Sequence, residues 1–211
     1  MDFSSFLEQI KSSFKKEQLK VFNSIKPFDS LKLASMGHND TEGYQIFTPD
    51  FIVRDMCAVV GNDIFDSSKN VLEPTSGDGA FTTYILQKRL EKIDSDFEIE
   101  SLRALSTIYS IEMDKELIEK QRNNIFTVIK LFVEKKALEV DKSYFDMVKA
   151  IITTNFIWAM FNSDHPIGGL MVEAAYKMPN AAKGDFRPLD FPVWTISSNN
   201  ILFHMEGVDV W

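Results

Sequence analysis

A mixed α/β domain on a mostly parallel sheet, preceded by a helical extension, is the architecture this sequence predicts. Three observations predict it. Between residues 70 and 124 the pattern runs strand, helix, strand, helix, an order that implies parallel pairing through right-handed crossovers. A Gly-x-Gly turn, Gly77-Asp78-Gly79, separates the first strand from its helix. The chain has 211 residues, 45% hydrophobic and 26% charged, enough to bury a sizeable core and unlike a disordered, collagenous or coiled-coil chain.

In order along the chain, Phe3, Phe6, Leu7, Ile10 and Phe14 fall at helical spacing, so an amphipathic helix is expected over residues 3–25. Such a helix covers a core or a partner. The stretch from Ser30 to Gly43 is polar and carries Gly37, Asn39 and Gly43, which predicts a loop or linker. The expected division is therefore residues 1–43 as helix and linker, and 44–211 as the main domain. Thr48-Pro49-Asp50 reads as a helix start, Thr as N-cap and Pro in the first helical position, with Ile52, Met56 and Val60 as the buried stripe. A short strand is expected at Asn70–Leu72, a helix through Phe81, Ile85 and Leu86, a strand over 106–112 and a helix over 114–124. Val148–Thr154 reads as a buried strand and Leu170–Lys177 as a short helix. Phe191–Ser197 and Asn200–Met205 read as strands around a Ser-Asn turn.

Charge narrows the partners. The chain carries 23 basic and 31 acidic residues, a net of -8, so tight autonomous binding to nucleic acid is not expected. Residues 1–35 carry six Lys, Lys11, Lys15, Lys16, Lys20, Lys26 and Lys32, against Asp2, Glu8, Glu17 and Asp29, which makes the N-terminal arm the expected side for any polyanion contact. No apolar run approaches the length of a membrane span and no signal peptide is evident, so a soluble chain with no membrane association is expected. The single Cys57 cannot close an internal disulfide, and with His38, His165 and His204 scattered no metal site is expected. A cytoplasmic location fits best.

The most informative stretch is Val71-Leu72-Glu73-Pro74-Thr75-Ser76-Gly77-Asp78-Gly79-Ala80-Phe81. A strand ends on an acid, two glycines let the backbone pass close to a ligand, and a helix begins at once. That presents amide N–H groups and a positive helix end at the carboxyl edge of the sheet. The next strand, Tyr109-Ser110-Ile111-Glu112, ends on a carboxylate able to accept both hydroxyls of a ribose held at the first turn.

Phe47-Thr48-Pro49, then Leu-Glu-Pro-Thr-Ser-Gly-Asp-Gly-Ala-Phe, then Ile-Glu-Met-Asp, in that order over residues 44 to about 124, resemble the core of adenine-specific (N6) DNA methyltransferases. The pattern is that of the modification subunits of restriction-modification systems. The resemblance implies a Rossmann-like fold and S-adenosylmethionine as cofactor. It implies cofactor contacts from Thr48, Pro49, Glu73, Pro74, Gly77, Gly79 and Glu112, with Phe81 packing the turn. In that family an acid after the third strand contacts the cofactor's adenine, for which Asp141 and Asp146 are the candidates here.

The family's catalytic Asp/Asn-Pro-Pro-Tyr/Phe follows a fourth strand, where acceptor groups bind the target amine and the aromatic stacks on the extruded base. After Ala150–Thr154 this chain has Asn155-Phe156-Ile157-Trp158, with the first and fourth positions kept and both prolines missing. The resemblance makes Asn155 and Trp158 the catalytic candidates. Without the prolines nothing aims the backbone acceptor. A strand-end cap stands equally as the reading of Asn155, and core packing is the plainer reading of Trp158. Two functions therefore stand: a methyltransferase acting on adenine in DNA, or a catalytically inactive relative that binds cofactor or protein partners, a second copy included, as a structural or regulatory subunit. Either would need a second subunit for target recognition.

Overall fold

The computed structural model describes residues 2–28, 48–161, 175–177, 187–188, 192–197 and 200–204. Its centre is a three-stranded parallel sheet of β1 (Val71–Glu73), β2 (Ile108–Glu112) and β3 (Phe156–Trp158) in the order β1-β2-β3. Val71 pairs with Ile108 and Ser110 with Phe156. Parallel neighbours need long crossovers. Here each crossover is a pair of helices. These are α4 (Ala80–Glu91) and α5 (Phe97–Ser106) between the first two strands, and α6 (Lys115–Lys135) and α7 (Lys142–Asn155) between the last two. All five β2 residues are buried, as expected of a strand covered on both faces. Leu72, in the middle of β1, is 39% exposed, and β1 is the sheet edge among the described residues.

Two buried arginines fix the crossovers. Arg89 on α4 donates to the carbonyls of Ile64, Lys69 and Ala104 and to Thr107 Oγ1, tying the approach to β1 to the end of α5. Arg122 on α6 donates twice to Phe156 O, at 3.0 and 2.6 Å, and so anchors the start of β3.

The expected N-terminal helix is two helices, α1 (Ser4–Ser13) and α2 (Lys16–Ser24), joined through an extended Phe14. The break lets Phe14 and Phe22 meet edge to face at 6.4 Å while both helices pack on α7. Phe3, Leu7, Ile10, Phe14, Phe22 and Ile25 join the same core as the sheet helices. The expected linker at 30–43 lies outside the described residues.

Three element expectations are corrected. Val148–Thr154 is not a strand but the body of α7. An unbroken apolar run is compatible with either state when it is buried all round, and every residue from Ala150 to Asn155 is. Thr153 and Thr154 return their hydroxyls to Lys149 O and Ala150 O, which suits these β-branched residues to the helix. In the helix α3 (Asp50–Val60) the buried residues are Val53 and Cys57, whereas Met56 is 52% and Val60 65% exposed. Its apolar arc is wider than the side that packs on α4. Of the expected helix at Leu170–Lys177 only Ala175–Lys177 is described, and it is a strand, β5, between β4 (Met160–Phe161) and β6 (Arg187–Pro188).

The hairpin expected at the end is present as β7 (Val193–Ile196) and β8 (Ile201–His204). It is held to β2 by Tyr109 Oη donating to Pro192 O at 3.0 Å and to α5 by Arg103 Nε donating to Ile196 O at 2.7 Å. Among the described residues no helix is long and apolar enough to cross a membrane.

Candidate functional site at the glycine turn

The turn between β1 and α4 is the candidate site, and its shape follows from the two glycines. Gly77 has φ +57° and Gly79 φ +87°, both in the left-handed region that other residues enter at a cost. They serve different ends. A β-carbon on Gly79 would lie 2.4 Å from Gln121 Cγ and 2.9 Å from Thr82 Oγ1, so this glycine admits a neighbouring helix, not a ligand. A β-carbon on Gly77 would meet nothing within 4 Å, so this glycine faces open space. The expectation that both glycines give a ligand access therefore holds in geometry for Gly77 alone.

Helix α6 clamps the turn from behind. Asp114 caps that helix by accepting from the N–H groups of Glu116 and Leu117. One turn and more along, Lys120 pairs with Asp78 at 3.1 Å and Asn124 Nδ2 donates to Asp78 O at 3.0 Å. Between them Gln121 Oε1 accepts from Ser76 Oγ and Ser110 Oγ, and Gln121 Nε2 donates to Thr82 Oγ1. Residues 120, 121 and 124 share one helical face. Lys120, Gln121, Asn124 and Asp78 were not singled out from sequence. The 3–4 spacing of polar groups just after the second strand was the available signal, but it acquires meaning only once the helix is docked.

Three carboxylates surround Gly77. Glu112, at the end of β2, accepts from Gly77 N–H at 2.7 Å and from Asp114 N–H at 2.8 Å. Asp78 pairs with Lys120. Glu73, at the end of β1, accepts from the Thr82 backbone N–H at the start of α4, yet its Oε2 is fully buried without a partner. Burial first, then the charges of Asp78 and Glu112, push the Glu73 carboxyl up to about 8. Cys57, brought beside it by α3, has its thiol raised by burial and by Glu73. Asn124 Oδ1 is a second buried acceptor with no donor at this turn.

Thr48 and Pro49 sit at the start of α3, with Pro49 and not Thr48 in the N-cap position and no side-chain cap. Pro49 O accepts from Val53 N–H. Neither is hydrogen-bonded to the turn among the described residues. Pro74 follows Glu73 directly, and Phe81 lies against the core in the first turn of α4.

The two catalytic candidates are held apart. Asn155 ends α7 and is 0% exposed. Its Nδ2 donates to Ser106 O and Ile108 O, and its Oδ1 accepts from Trp194 Nε1 at 3.0 Å and from Thr154 Oγ1 at 3.1 Å. Every polar position of its amide is in use. Trp158 lies at the other end of β3, about 10 Å of extended chain away. There it is the register partner of Glu112, donates its Nε1 to Met113 O and has Lys115 Nζ 5.8 Å from its ring centroid. Trp158 therefore belongs to the edge that carries Glu112, and Asn155 does not. The strand at this point, β3, is the third among the described residues and pairs with β2, and the expected strand at Ala150–Thr154 is helix.

Asp141 caps the start of α7, accepting from Tyr144 N–H and Ser143 Oγ, the latter holding its carboxyl below the usual range. Asp146 is paired with Lys142. Both lie on α7 before its last two turns, away from the carboxyl edge of β3. Among the described residues no group of three or more His, Cys, Asp or Glu is arranged to hold a metal. No protein-family model, curated protein or solved structure matches the chain.

Proposed function

We propose that this chain binds S-adenosylmethionine at the carboxyl edge of a Rossmann-like sheet and acts as a cofactor-binding subunit in adenine methylation of DNA. The observation that carries the reading is the charge around Gly77. A glycine turn at a helix N-terminus ordinarily receives phosphate. Here the Gly77 N–H is already taken by the Glu112 carboxylate and Asp78 lies within the turn, so a diphosphate would lose an amide donor and face acidic side chains. A ligand with a ribose and a positive charge, and no phosphate, suits that surface. The order β1-β2-β3, with the turn after β1 and an acid ending β2, fits one half of a doubly wound sheet. Glu112 keeps lone pairs for ribose hydroxyls, Gly77 leaves room for the ligand, and Glu73 offers an acceptor. S-adenosylmethionine supplies an activated methyl group when bound.

DNA as the acceptor rests on the sequence resemblance, and a net charge of -8 favours target recognition by a second subunit. The full use of the Asn155 amide supports the catalytically silent role over transfer by this chain itself. Calorimetry with S-adenosylmethionine and S-adenosylhomocysteine tests the reading. Saturable binding, lowered by Gly77→Val, is expected; no heat at millimolar ligand would overturn it. Labelled methyl transfer to DNA, with native partners present, separates the two roles: Asn155→Ala abolishes transfer without loss of folding only if that residue is catalytic.

A further inference from the structure

We propose that Glu73 carries a proton in the free protein and gives it up when the positively charged end of a nucleoside ligand arrives, so that ligand capture is coupled to proton release. The inference rests on the ligand class proposed above and adds its regulation by pH. Its basis is geometric. Glu73 Oε2 has neither solvent nor a hydrogen-bond donor, and a bare carboxylate oxygen in that position is unfavourable. The groups that face it offer little relief. Asp78 from the turn and Glu112 from β2 are like charges, Cys57 from α3 is neutral, and α4 supplies the single Thr82 N–H. The nearby Lys120 on α6 is engaged with Asp78.

Protonation removes the unfavourable charge at the cost of the acceptor a cation needs. The carboxyl group raised to about 8 is in its acid form at neutral pH. When an ammonium or sulfonium group takes its place beside Oε2, the carboxyl O–H bond breaks, the proton passes to buffer, and the carboxylate pairs with the ligand cation. Only the ionised fraction is competent, and apparent affinity scales with that fraction. Between pH 5.5 and 7.0 the amino group of the ligand stays protonated, since α-amino groups titrate near 7.7–8.0. The protein group alone then changes.

Calorimetry at pH 7.0 in phosphate and in imidazole, buffers of different ionisation enthalpy, counts the protons. About 0.9 proton released per S-adenosylmethionine bound is expected, with affinity about tenfold weaker at pH 6.0 than at pH 7.0. Glu73→Gln should bind without releasing a proton. If Glu73→Gln does not bind, the infrared band of a protonated carboxyl in the wild type decides, since it must disappear on adding ligand. Binding with no proton exchange and a flat pH profile overturns the coupling and leaves the cofactor reading standing. Equal proton release from Glu73→Gln overturns it too. No binding at any pH overturns the cofactor reading itself.

Discussion

The turn after β1 and the junction between α7 and β3 are both rich in buried polar groups, yet they differ in what those groups have left to do. At the junction, Asn155 closes a complete circuit with Ser106, Ile108, Thr154 and Trp194. At the turn, Glu73 Oε2 and Asn124 Oδ1 have no donor, and Gly77 fronts open space. Saturated polar groups hold a fold together, whereas buried unsaturated ones call for an explanation. By that criterion the turn is the proposed site and the junction is a clasp.

The contrast is broken most directly at Asn155. Asn155→Ala strands two carbonyls and the Trp194 N–H in the interior and should cost on the order of 3 kcal/mol, read from urea denaturation, while cofactor affinity of the folded fraction stays unchanged. Loss of affinity without loss of stability would make Asn155 part of the site. Next in size is Gly79→Ala, where left-handed backbone and a collision with Gln121 should together cost about 2–3 kcal/mol. Gly77→Ala has the same backbone handedness and no collision, so about 1 kcal/mol is expected. A larger loss at Gly77 than at Gly79 would invert the roles assigned to the two glycines.

Stability against pH sharpens the comparison further. The Glu73 carboxyl titrates at about 8 in the folded protein against 4.5 for the ordinary value, so the folded state holds a proton that the unfolded chain has released. This contribution is fully present below about pH 4.5 and is lost as pH rises from there through 8, a loss on the order of 5 kcal/mol. Melting Glu73→Gln beside the wild type from pH 5 to 8 should show the wild type losing ground and the variant not; parallel curves would remove the strain assigned to this carboxyl. The smallest effect belongs to Lys120→Ala, which loses a half-exposed ion pair worth about 0.5 kcal/mol.

Legibility differed between the same two regions. The glycine turn and Glu112 could be read because strand, turn and helix follow one another in the chain, and local spacing carries their geometry. Asn155 was misplaced because Ala150–Thr154 is apolar on every side. Strand and buried helix look alike in such a run, and the deciding contacts come from Phe3, Ser106 and Trp194, remote in sequence. The α3 stripe failed for a related reason. Periodicity locates an apolar arc, but which half of it packs depends on where α4 lies. Lys120, Gln121 and Asn124 are ordinary helix-surface residues until α6 is laid against the turn.

The hydrogen bond from Phe3 N–H to Ser143 Oγ, spanning 140 residues, bears on how the chain is made as well as how it is held. Phe3, Leu7, Ile10 and Phe14 bury themselves on a helix that leaves the ribosome long after they do. At roughly 5–20 residues per second, that interval is on the order of ten seconds. For that time an amphipathic segment with four large apolar side chains has no native surface to cover, which makes it a target for nascent-chain chaperones.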